Sequence, residues 1–342
     1  MLPAEIGMKV LFLGGTGNIS TACSRLALAM GWDLTLLNRG RTRSDSLPGA
    51  RTLVADLGDP AAVAKVLGDQ VFDAVVQFIG YSPADVERDI ALFSRRCRQY
   101  VFISSASVYQ KPLAHPVVDE STPLGNPFWD YSRAKIACEL RLTEAWRASG
   151  FPAVIVRPSL TYDTVIPTAI GGWTDFGIIE RMRRGAPVVV HGDGTSLWTI
   201  THSDDFAKGL IGLIGHQQAP GHAFHITSDE LLTWDQIYQA VAAAAGVEAR
   251  LVHLSSDAIA AIEPWQRGNL HGDKAHSAIF DNAKIKRFVP GFRATIRFAD
   301  GIGRTLAWFE ADPARRRVDA AGDRLLDRLV AAAQAQRVGA AS

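Results

Sequence analysis

Residues 9–20, KVLFLGGTGNIS, decide the fold of this chain. The apolar run predicts a buried strand that ends at Leu13, and the glycines after it predict a tight turn into a helix. Gly14, Gly17 and Ser20 have the spacing of a dinucleotide-binding turn, whose backbone approaches a pyrophosphate at a helix N-terminus. Serine stands where a third glycine is usual, and its small side chain should leave the turn intact. A strand-to-helix turn without a ligand is the alternative.

Short apolar runs continue to alternate with helical patterns as far as the fifth and sixth predicted strands, QYVFISSASVY and AVIVRPSLTY. This alternation predicts a doubly wound α/β Rossmann fold, a parallel sheet with helices on both faces. Regular alternation stops over residues 163–200, a stretch rich in Gly, Pro and Trp. We therefore predict a Rossmann domain over residues 8–165, with later contributions from about 201–230, and a smaller α/β substrate-binding region over 166–200 and 231–335.

Composition excludes several classes of protein. The 342 residues include 36 Lys plus Arg and 35 Asp plus Glu, so a net charge of +1 offers no broad attraction to nucleic acid or anionic membrane. No apolar run approaches the ~18 residues of a membrane span, and a signal-peptide pattern is missing, with Met1 and Met8 both open as the start. Three scattered cysteines fit a reducing cytoplasm, and no Cys/His spacing predicts a metal site.

The end of the second predicted strand bears on cofactor choice. NAD sites usually place an acidic residue there to bind the ribose hydroxyls. This chain has Asn38 and Arg39, followed by Arg41 and Arg43, which favours the 2′-phosphate of NADP over NAD. A solvated basic loop is the alternative. Asp56, after the third strand, is predicted either to bind the adenine amine or to cap a turn.

A second set of motifs supplies candidate catalytic groups. The run SSASVY, residues 104–109, ends the fifth predicted strand, and Tyr131 and Lys135 lie four residues apart on one predicted helix face. The ammonium is expected to lower the pKa of the tyrosine, which then exchanges a proton with a substrate hydroxyl or carbonyl. Ser105 is expected to hydrogen-bond the same oxygen. An ordinary amphipathic helix face is the alternative.

These motifs together resemble the extended short-chain dehydrogenase/reductase superfamily, also called the NAD-dependent epimerase/dehydratase family. The matching segments are GGTGNIS, VFISSASVY, YSRAK, VIVRPSLTY and THSDDFA, in the order of the family. LLNRG and FDNAKIKR further resemble the branch related to chloroplast stem-loop-binding proteins. The resemblance implies Ser105, Tyr131 and Lys135 as the catalytic triad, Arg157 near the nicotinamide, and a homodimer.

The candidate binding residues follow from the motifs and this resemblance. The predicted cofactor-binding residues are Gly14, Thr16, Gly17, Asn18, Ile19, Asn38, Arg39, Asp56, Leu57, Phe78, Tyr131, Lys135 and Arg157. The predicted substrate-binding residues are Tyr81, Ser107, His115, Trp129, Thr161, Tyr162, Trp198 and His202. Ordinary packing is the alternative for each aromatic residue among them. His271, Asp273 and Lys274 are predicted either to close over the site or to form a solvated loop.

Departures from the family pattern narrow the function. No carboxylate follows Ser105, which disfavours dehydration, and Trp198 lies where family members commonly have an arginine that contacts a nucleotide-sugar diphosphate. We therefore predict an NAD(P)-dependent oxidoreductase or epimerase acting on a hydroxyl/carbonyl carbon of a sugar or sugar-like small molecule. A nucleotide-sugar epimerase and a reductase of a non-nucleotide substrate both remain open. The alternative outside enzymes is an RNA-binding or cofactor-sensing relative, which the near-zero net charge disfavours.

Overall fold

The described residues contain fifteen strands, seven of which form a parallel central sheet. The computed structural model describes residues 7–40 and 47–341. In chain order the strands are β1 Lys9–Leu13, β2 Asp33–Asn38, β3 Arg51–Val54, β4 Phe72–Gln77, β5 Cys97–Ile103, β6 Val117–Val118, β7 Ala153–Pro158, β8 Leu160–Tyr162, β9 Val188–His191, β10 Leu197–Trp198, β11 Ile200–His202, β12 Ala223–Ile226, β13 Leu232–Thr233, β14 Leu251–Leu254 and β15 Ile279–Phe280. The central sheet has the order β12-β7-β5-β4-β1-β2-β3, which confirms the predicted doubly wound α/β fold.

Helices cover both faces of this sheet and build the rest of the molecule. They are α1 Ser20–Ala29, α2 Pro60–Leu67, α3 Pro83–Phe93, α4 Asp130–Ser149, α5 Gly177–Arg183, α6 Ser203–Leu213, α7 Trp234–Ala244, α8 Ser256–Ile262, α9 Gln266–Asn269, α10 Ala283–Phe288, α11 Phe298–Glu310 and α12 Ala320–Ala341. A π-helical turn, Leu270–Lys274, follows α9. In the part of the chain that the structure describes, no helix is both long and apolar enough to cross a membrane.

Strand β1 shows why the opening sequence folds as it does. Val10 and Phe12 pack in the core between the sheet and helices α1 and α6, while Leu11 and Leu13 pack on the opposite face with α2, α3 and α4. All four side chains are fully buried. A strand covered on both faces must be apolar at every position, so its run of hydrophobic residues does not alternate. Because β2 and β4 flank β1 and the chain winds away in opposite directions, a crevice opens at the carboxyl ends of these strands.

The region after the sixth sheet strand is more regular than its sequence predicts. Residues 163–200, predicted to lack alternation, contain helix α5 and strand β9. Strand β9 pairs in parallel with β14, and a large apolar core joins this pair to α5, α7, α11 and α12. The partner strand lies some sixty residues away in sequence, so local patterns give no sign of the pairing. The division into two regions at residue 165 stays a prediction.

Helix α12 is docked on this second core through Leu329 and its apolar neighbours. An ion-pair cluster reinforces the contact, because the guanidinium of Arg181 on α5 lies 2.8 Å from Asp323 and 2.6 Å from Asp327 of α12. Arg181 is itself buried, although the helix end on which it lies is rich in arginine. Burial of a guanidinium is tolerated here because carboxylates on the neighbouring helix neutralise it.

Two predicted strands are shorter than expected, and after each of them the chain bends and lines the crevice. The run QYVFISSASVY leaves the sheet after Ile103, and Ala106–Val108 form a 3₁₀ turn capped by Ser105. The run AVIVRPSLTY divides at Pro158, after which Leu160–Tyr162 pair with β11 outside the central sheet. The chain therefore turns at the carboxyl end of both sheet strands, where backbone and side chains line the crevice.

Candidate active site

A single cavity of about 1240 Å³ occupies the crevice at the carboxyl ends of the sheet strands. Most of the predicted site residues line it together. They are Gly14, Thr16, Gly17, Asn18, Ile19, Asn38, Arg39, Asp56, Leu57, Phe78, Tyr81, Ser105, Ser107, Trp129, Tyr131, Lys135 and Thr161. Their roles in binding and catalysis stay predictions.

The glycine turn forms a cradle that fits a dinucleotide pyrophosphate. Gly14 and Gly15 have φ values of 101° and 104°, and a Cβ atom on Gly15 would lie 2.6 Å from Cδ2 of Leu36. At Gly17 a Cβ would meet only the Ser20 hydroxyl, at 3.4 Å, so its open side faces the cavity. The Ser20 hydroxyl accepts a 2.8 Å hydrogen bond from the Gly17 amide, which shows how serine replaces the third glycine. Gly15 is a steric requirement that the motif spacing alone does not single out.

The ends of β2 and β3 line the other side of the cavity. The side chains of Asn38 and Asp56 each accept a hydrogen bond from a backbone amide two residues further on, so Asp56 caps a turn as one sequence interpretation expects. Arg39 lines the cavity with an exposed side chain. Arg41 and Arg43 lie outside the described residues. The β2 end is therefore neutral and cationic, as the sequence predicts.

Lys135 is buried in the middle of the site. Its ammonium donates hydrogen bonds to the carbonyl oxygens of Gly80, at 2.7 Å, and Ile103, at 2.8 Å. It also lies 4.9 Å from the ring centre of Tyr81 and 4.7 Å from that of Phe102. Burial lowers the pKa of Lys135 to about 8. The ammonium thus holds together the ends of two adjacent strands, β4 and β5.

Tyr131 lies in the first turn of α4, one helical turn before Lys135. The Lys135 ammonium lies 5.8 Å from its ring centre. Burial raises the pKa of Tyr131 to about 12, and the Ser105 hydroxyl opposes this shift. The lowered tyrosine pKa expected from the sequence is therefore wrong for the protein by itself. Loss of hydration of the phenolate raises its pKa more than the nearby ammonium lowers it, because the protons of that ammonium already bind carbonyl oxygens.

Three serine hydroxyls run from the cavity wall into helix α4. The Ser105 and Ser107 hydroxyl oxygens lie 2.9 Å apart, and Ser132 donates a 2.7 Å hydrogen bond to Ser107. The Asn126 side-chain amide donates to the Ser107 carbonyl at 2.8 Å and fixes this turn from outside. Ser105 therefore has a defined orientation beside Tyr131.

Arg157 does not line the cavity, contrary to its predicted place in the cofactor site. Its guanidinium forms a buried ion pair with Glu139, with a nitrogen–oxygen distance of 2.6 Å, and lies 4.8 Å from the ring centre of Tyr109. The Glu139 carboxylate also accepts a short hydrogen bond from Ser104, which does line the cavity. Arg157 therefore stabilises the cavity wall indirectly, through Glu139 and Ser104.

Four predicted substrate residues also lie away from the cavity lining. His115 is exposed and bonds the backbone of its own loop, at Val117. Tyr162 and Trp198 are buried in the second core, as the packing alternative describes. His202 caps α6 with its ring. Tyr162, Trp198 and His202 are each the last residue of a short strand outside the central sheet.

The second region contributes other groups that sequence reasoning missed. Thr168, Trp265 and Asn269, which sequence reasoning missed, line the cavity together with the sequence candidates Trp173, Asp273 and Lys274. Asp273 and Lys274 belong to the π-helical turn after α9, so the solvated-loop alternative is wrong for them, while His271 of the same turn does not line the cavity. The signal for this turn was a polar stretch with no recognisable period.

The family comparison agrees with this geometry. The model of the NAD dependent epimerase/dehydratase family matches residues 10–227, more than half of the chain. The chain belongs to this family. As a family member it is an NAD(P)-dependent enzyme of the short-chain dehydrogenase/reductase superfamily, which confirms the resemblance inferred from the motifs.

Two curated relatives are each 26% identical to this chain over the matched residues. They are 2'-dehydrokanamycin reductase of Streptomyces kanamyceticus, over 71% of this chain and 68% of the relative, and chloroplast stem-loop binding protein of 41 kDa b of Arabidopsis thaliana, over 72% and 65%. The match thus spans about two thirds of each relative.

Solved structures share the fold over nearly the whole chain. The UDP-Glc/GlcNAc 4-epimerase of Campylobacter jejuni has a TM-score of 0.72 at 18% identity, covering 90% of this chain and 100% of the other. The UDP-glucose 4-epimerase of Bifidobacterium longum, in complex with NAD+ and UDP, has a TM-score of 0.71 at 20% identity, covering 89% and 98%.

Proposed function

We propose that this enzyme is an NADP-preferring oxidoreductase or epimerase that acts on a hydroxyl/carbonyl carbon of a sugar or sugar-like small molecule. The observation that carries the proposal is that Ser105, Tyr131 and Lys135 line the same cavity as the glycine turn. The names of the relatives add support, since they include a dehydrokanamycin reductase and a UDP-glucose 4-epimerase. Both names describe redox or stereochemical change at a sugar-like ring.

The cofactor site is proposed to run from the β2 end to Lys135. Gly14, Gly17 and the first turn of α1 would hold the pyrophosphate, and Arg39 would bind a 2′-phosphate. Solved relatives of this fold contain NAD, which supports the nicotinamide class, while the preference for NADP rests on the residues at the β2 end. When bound, the nicotinamide supplies a hydride donor or acceptor.

The proton moves through Tyr131 in this mechanism. In reduction its hydroxyl donates a proton to the substrate carbonyl oxygen, and in oxidation its phenolate accepts the proton from the substrate hydroxyl. Ser105 donates a hydrogen bond to the same oxygen and fixes its position between the two groups. Lys135, held by the Gly80 and Ile103 carbonyls, places a positive charge beside the phenolate that forms during oxidation.

Release and titration of nucleotide test the proposal. The purified protein is denatured, and any released nucleotide is identified by mass spectrometry. Retained NADP(H) or NAD(H) supports the site and favours an epimerase that keeps its cofactor. An empty protein that binds NADPH in a fluorescence titration supports an exchanging oxidoreductase. Binding of neither nucleotide would overturn the proposal and favour the RNA-binding alternative, which a salt-sensitive gel shift with a stem-loop RNA then tests.

A further inference from the structure

We propose that the end of the cavity beyond Tyr131 binds a sugar ring that carries no nucleoside diphosphate. This inference rests on the proposed function and names its substrate class. Two features support it. Trp129 and, from the second region, two further tryptophans and one carboxylate line that end. In the lining that the structure describes, every cation near that end is engaged by protein groups.

Trp129 is the first of these tryptophans and lies directly beside the catalytic tyrosine. Its ring centre is 5.0 Å from that of Tyr131. It is seated against the backbone of α9 and the π-helical turn, because a Cβ atom on Gly268 or Gly272 would lie 2.5 Å or 2.9 Å from Trp129 atoms. The two glycines thus let an indole approach the helix backbone closely. This seat fixes the indole in position next to the reacting centre.

Trp173 and Trp265 line the same cavity with large exposed indoles, at 49% and 62% of their surfaces. Trp173 has a φ of 60°, the only non-glycine residue among those described with a positive value. That conformation costs free energy for a bulky residue, and its amide and carbonyl are both bonded to Ile166. A strained, exposed indole in a cavity is expected where a ligand covers it.

Hydrogen bonds join the segments that present these indoles. The Asn269 side-chain amide donates to the Ala169 carbonyl at 2.8 Å, and Ala169 belongs to the loop that leads to Trp173. Trp265 immediately precedes α9, which contains Asn269. The wall is therefore one connected structure. Flat indole faces suit the C–H faces of a sugar ring, which leaves its hydroxyls to polar groups at the edge.

Asp273 supplies such a polar group. One carboxylate oxygen, Oδ2, accepts a 3.0 Å hydrogen bond from Lys274, whose ammonium also donates to Asn269 Oδ1 at 2.7 Å. Within the described residues, the other oxygen, Oδ1, accepts no hydrogen bond. Asp273 lines the cavity, so this oxygen is available to a sugar hydroxyl or a protonated amine.

The charges of the lining disfavour a diphosphate at this end. Arg88 is paired with Asp85 and Asp89, each at 2.8 Å, and Lys135 and Lys274 have the protein acceptors described above. Arg39 follows β2, and strand β1 separates β2 from β4 and β5 in the sheet. The Lys135 ammonium is bound at the carboxyl ends of β4 and β5, so Arg39 lies at the other end of the cavity. A diphosphate that lies away from a glycine turn and its helix N-terminus is usually held by cationic side chains free to bind it. Within the described lining, the Tyr131 end offers none that lacks a protein partner.

Calorimetric titration of the enzyme saturated with NADP⁺ tests the inference. The probes are kanamycin, methyl α-glucopyranoside and UDP-glucose, and NADPH affinity is measured on the same preparation. We expect one or both of the nucleotide-free glycosides to bind more tightly than UDP-glucose. Trp265→Ala and Asp273→Asn are each expected to weaken that binding on the order of tenfold, with NADPH affinity unchanged.

A matched variant and the cofactor titration separate the outcomes. Trp308→Ala removes an exposed tryptophan outside the cavity lining and should leave glycoside binding unchanged. Thermal unfolding confirms that each variant is folded. If NADPH binds but UDP-glucose binds best, or if no glycoside binds at millimolar concentration, the inference is wrong while the proposed function stands. If NADPH does not bind, the proposed function itself fails.

Discussion

The chain before residue 163 and the chain after it build the same cavity in different ways. In the first part, the glycine turn and the Ser105, Tyr131 and Lys135 set each follow a recognisable strand or lie on a recognisable helix. In the second part, the cavity residues come from a loop, a short helix and a π-helical turn. The sheet thus positions the groups proposed for chemistry, and the irregular region positions those proposed for substrate choice.

This difference has a physical origin. The carboxyl ends of parallel strands lie at the same edge of the sheet, so motifs that follow successive strands lie close together. Helices and loops of the second region have no such common edge, and their positions depend on side-chain packing and on ion pairs such as Arg181 with Asp323. Changes in the first region should therefore affect chemistry and cofactor, and changes in the second should affect stability and substrate.

The largest expected effect is on chemistry. Tyr131→Phe should lower kcat by roughly 10²–10⁴-fold, because the proton donor is lost, while the Kd of NADPH changes little. Turnover with each candidate substrate and NADPH titration measure the two effects. Tyr238→Phe is the control, since its buried hydroxyl bonds Ile170 in the second core. Full activity of Tyr131→Phe would remove the catalytic assignment.

The pH dependence follows from the direction of the tyrosine pKa. Because burial raises the pKa of Tyr131 to about 12, the phenolate needed for oxidation is scarce at neutral pH. We expect kcat/KM for oxidation, which reports the free enzyme, to rise about tenfold per pH unit from pH about 6 to 8. Above that the rise should be less steep, because the Lys135 ammonium, with a pKa of about 8, loses its charge. Reduction, which uses the protonated tyrosine, should not rise. A flat oxidation profile would contradict this role.

Leu329→Ala tests whether α12 anchors the second region. The side chain is fully buried in the second core, so its loss should cost about 2–5 kcal/mol of the free energy of unfolding. Leu140→Ala is the matched control, because that leucine on α4 is 56% exposed. Urea unfolding measures both. Equal, small effects would show that α12 contributes little to the core.

Gly15→Ala tests the cradle in the first region. The added Cβ meets Leu36 in a conformation that favours glycine, so we expect a loss of about 2 kcal/mol and weaker NADPH binding. Gly31→Ala shares the positive φ but has open space around it, and should cost about 1 kcal/mol with NADPH binding intact. Thermal unfolding and titration compare them. Similar losses for both would assign the effect to backbone conformation alone.

Arg39→Ala should have the smallest effect. We expect roughly tenfold weaker NADPH binding and little change for NADH, because only NADPH has the 2′-phosphate. Arg98→Ala, which removes an 83% exposed arginine paired with Asp73, serves as the control. Equal losses for the two nucleotides would remove the proposed preference for NADP.

Sequence reasoning performed unevenly in the same two regions. It predicted the fold class and the family, which are confirmed. Twelve of the thirteen cofactor candidates line the cavity, and their roles stay predictions. It failed for Arg157, His115, Tyr162, Trp198 and His202, none of which lines the cavity. Arg157, Tyr162 and Trp198 pack against Glu139, Phe298 and Trp234, which lie far from them in the chain, so local patterns do not show where these side chains point.

The sequence by itself determined the sheet, the glycine turn and the grouping of Ser105, Tyr131 and Lys135, because strand and helix periods are local properties of the chain. Only the tertiary structure decided the pairing of β9 with β14, the ion pair that buries Arg157, and the raised pKa of Tyr131. It also decided that Trp173, Trp265 and Asp273 reach the same cavity. Burial and long-range contact set these features, and both depend on residues that are far apart in the chain.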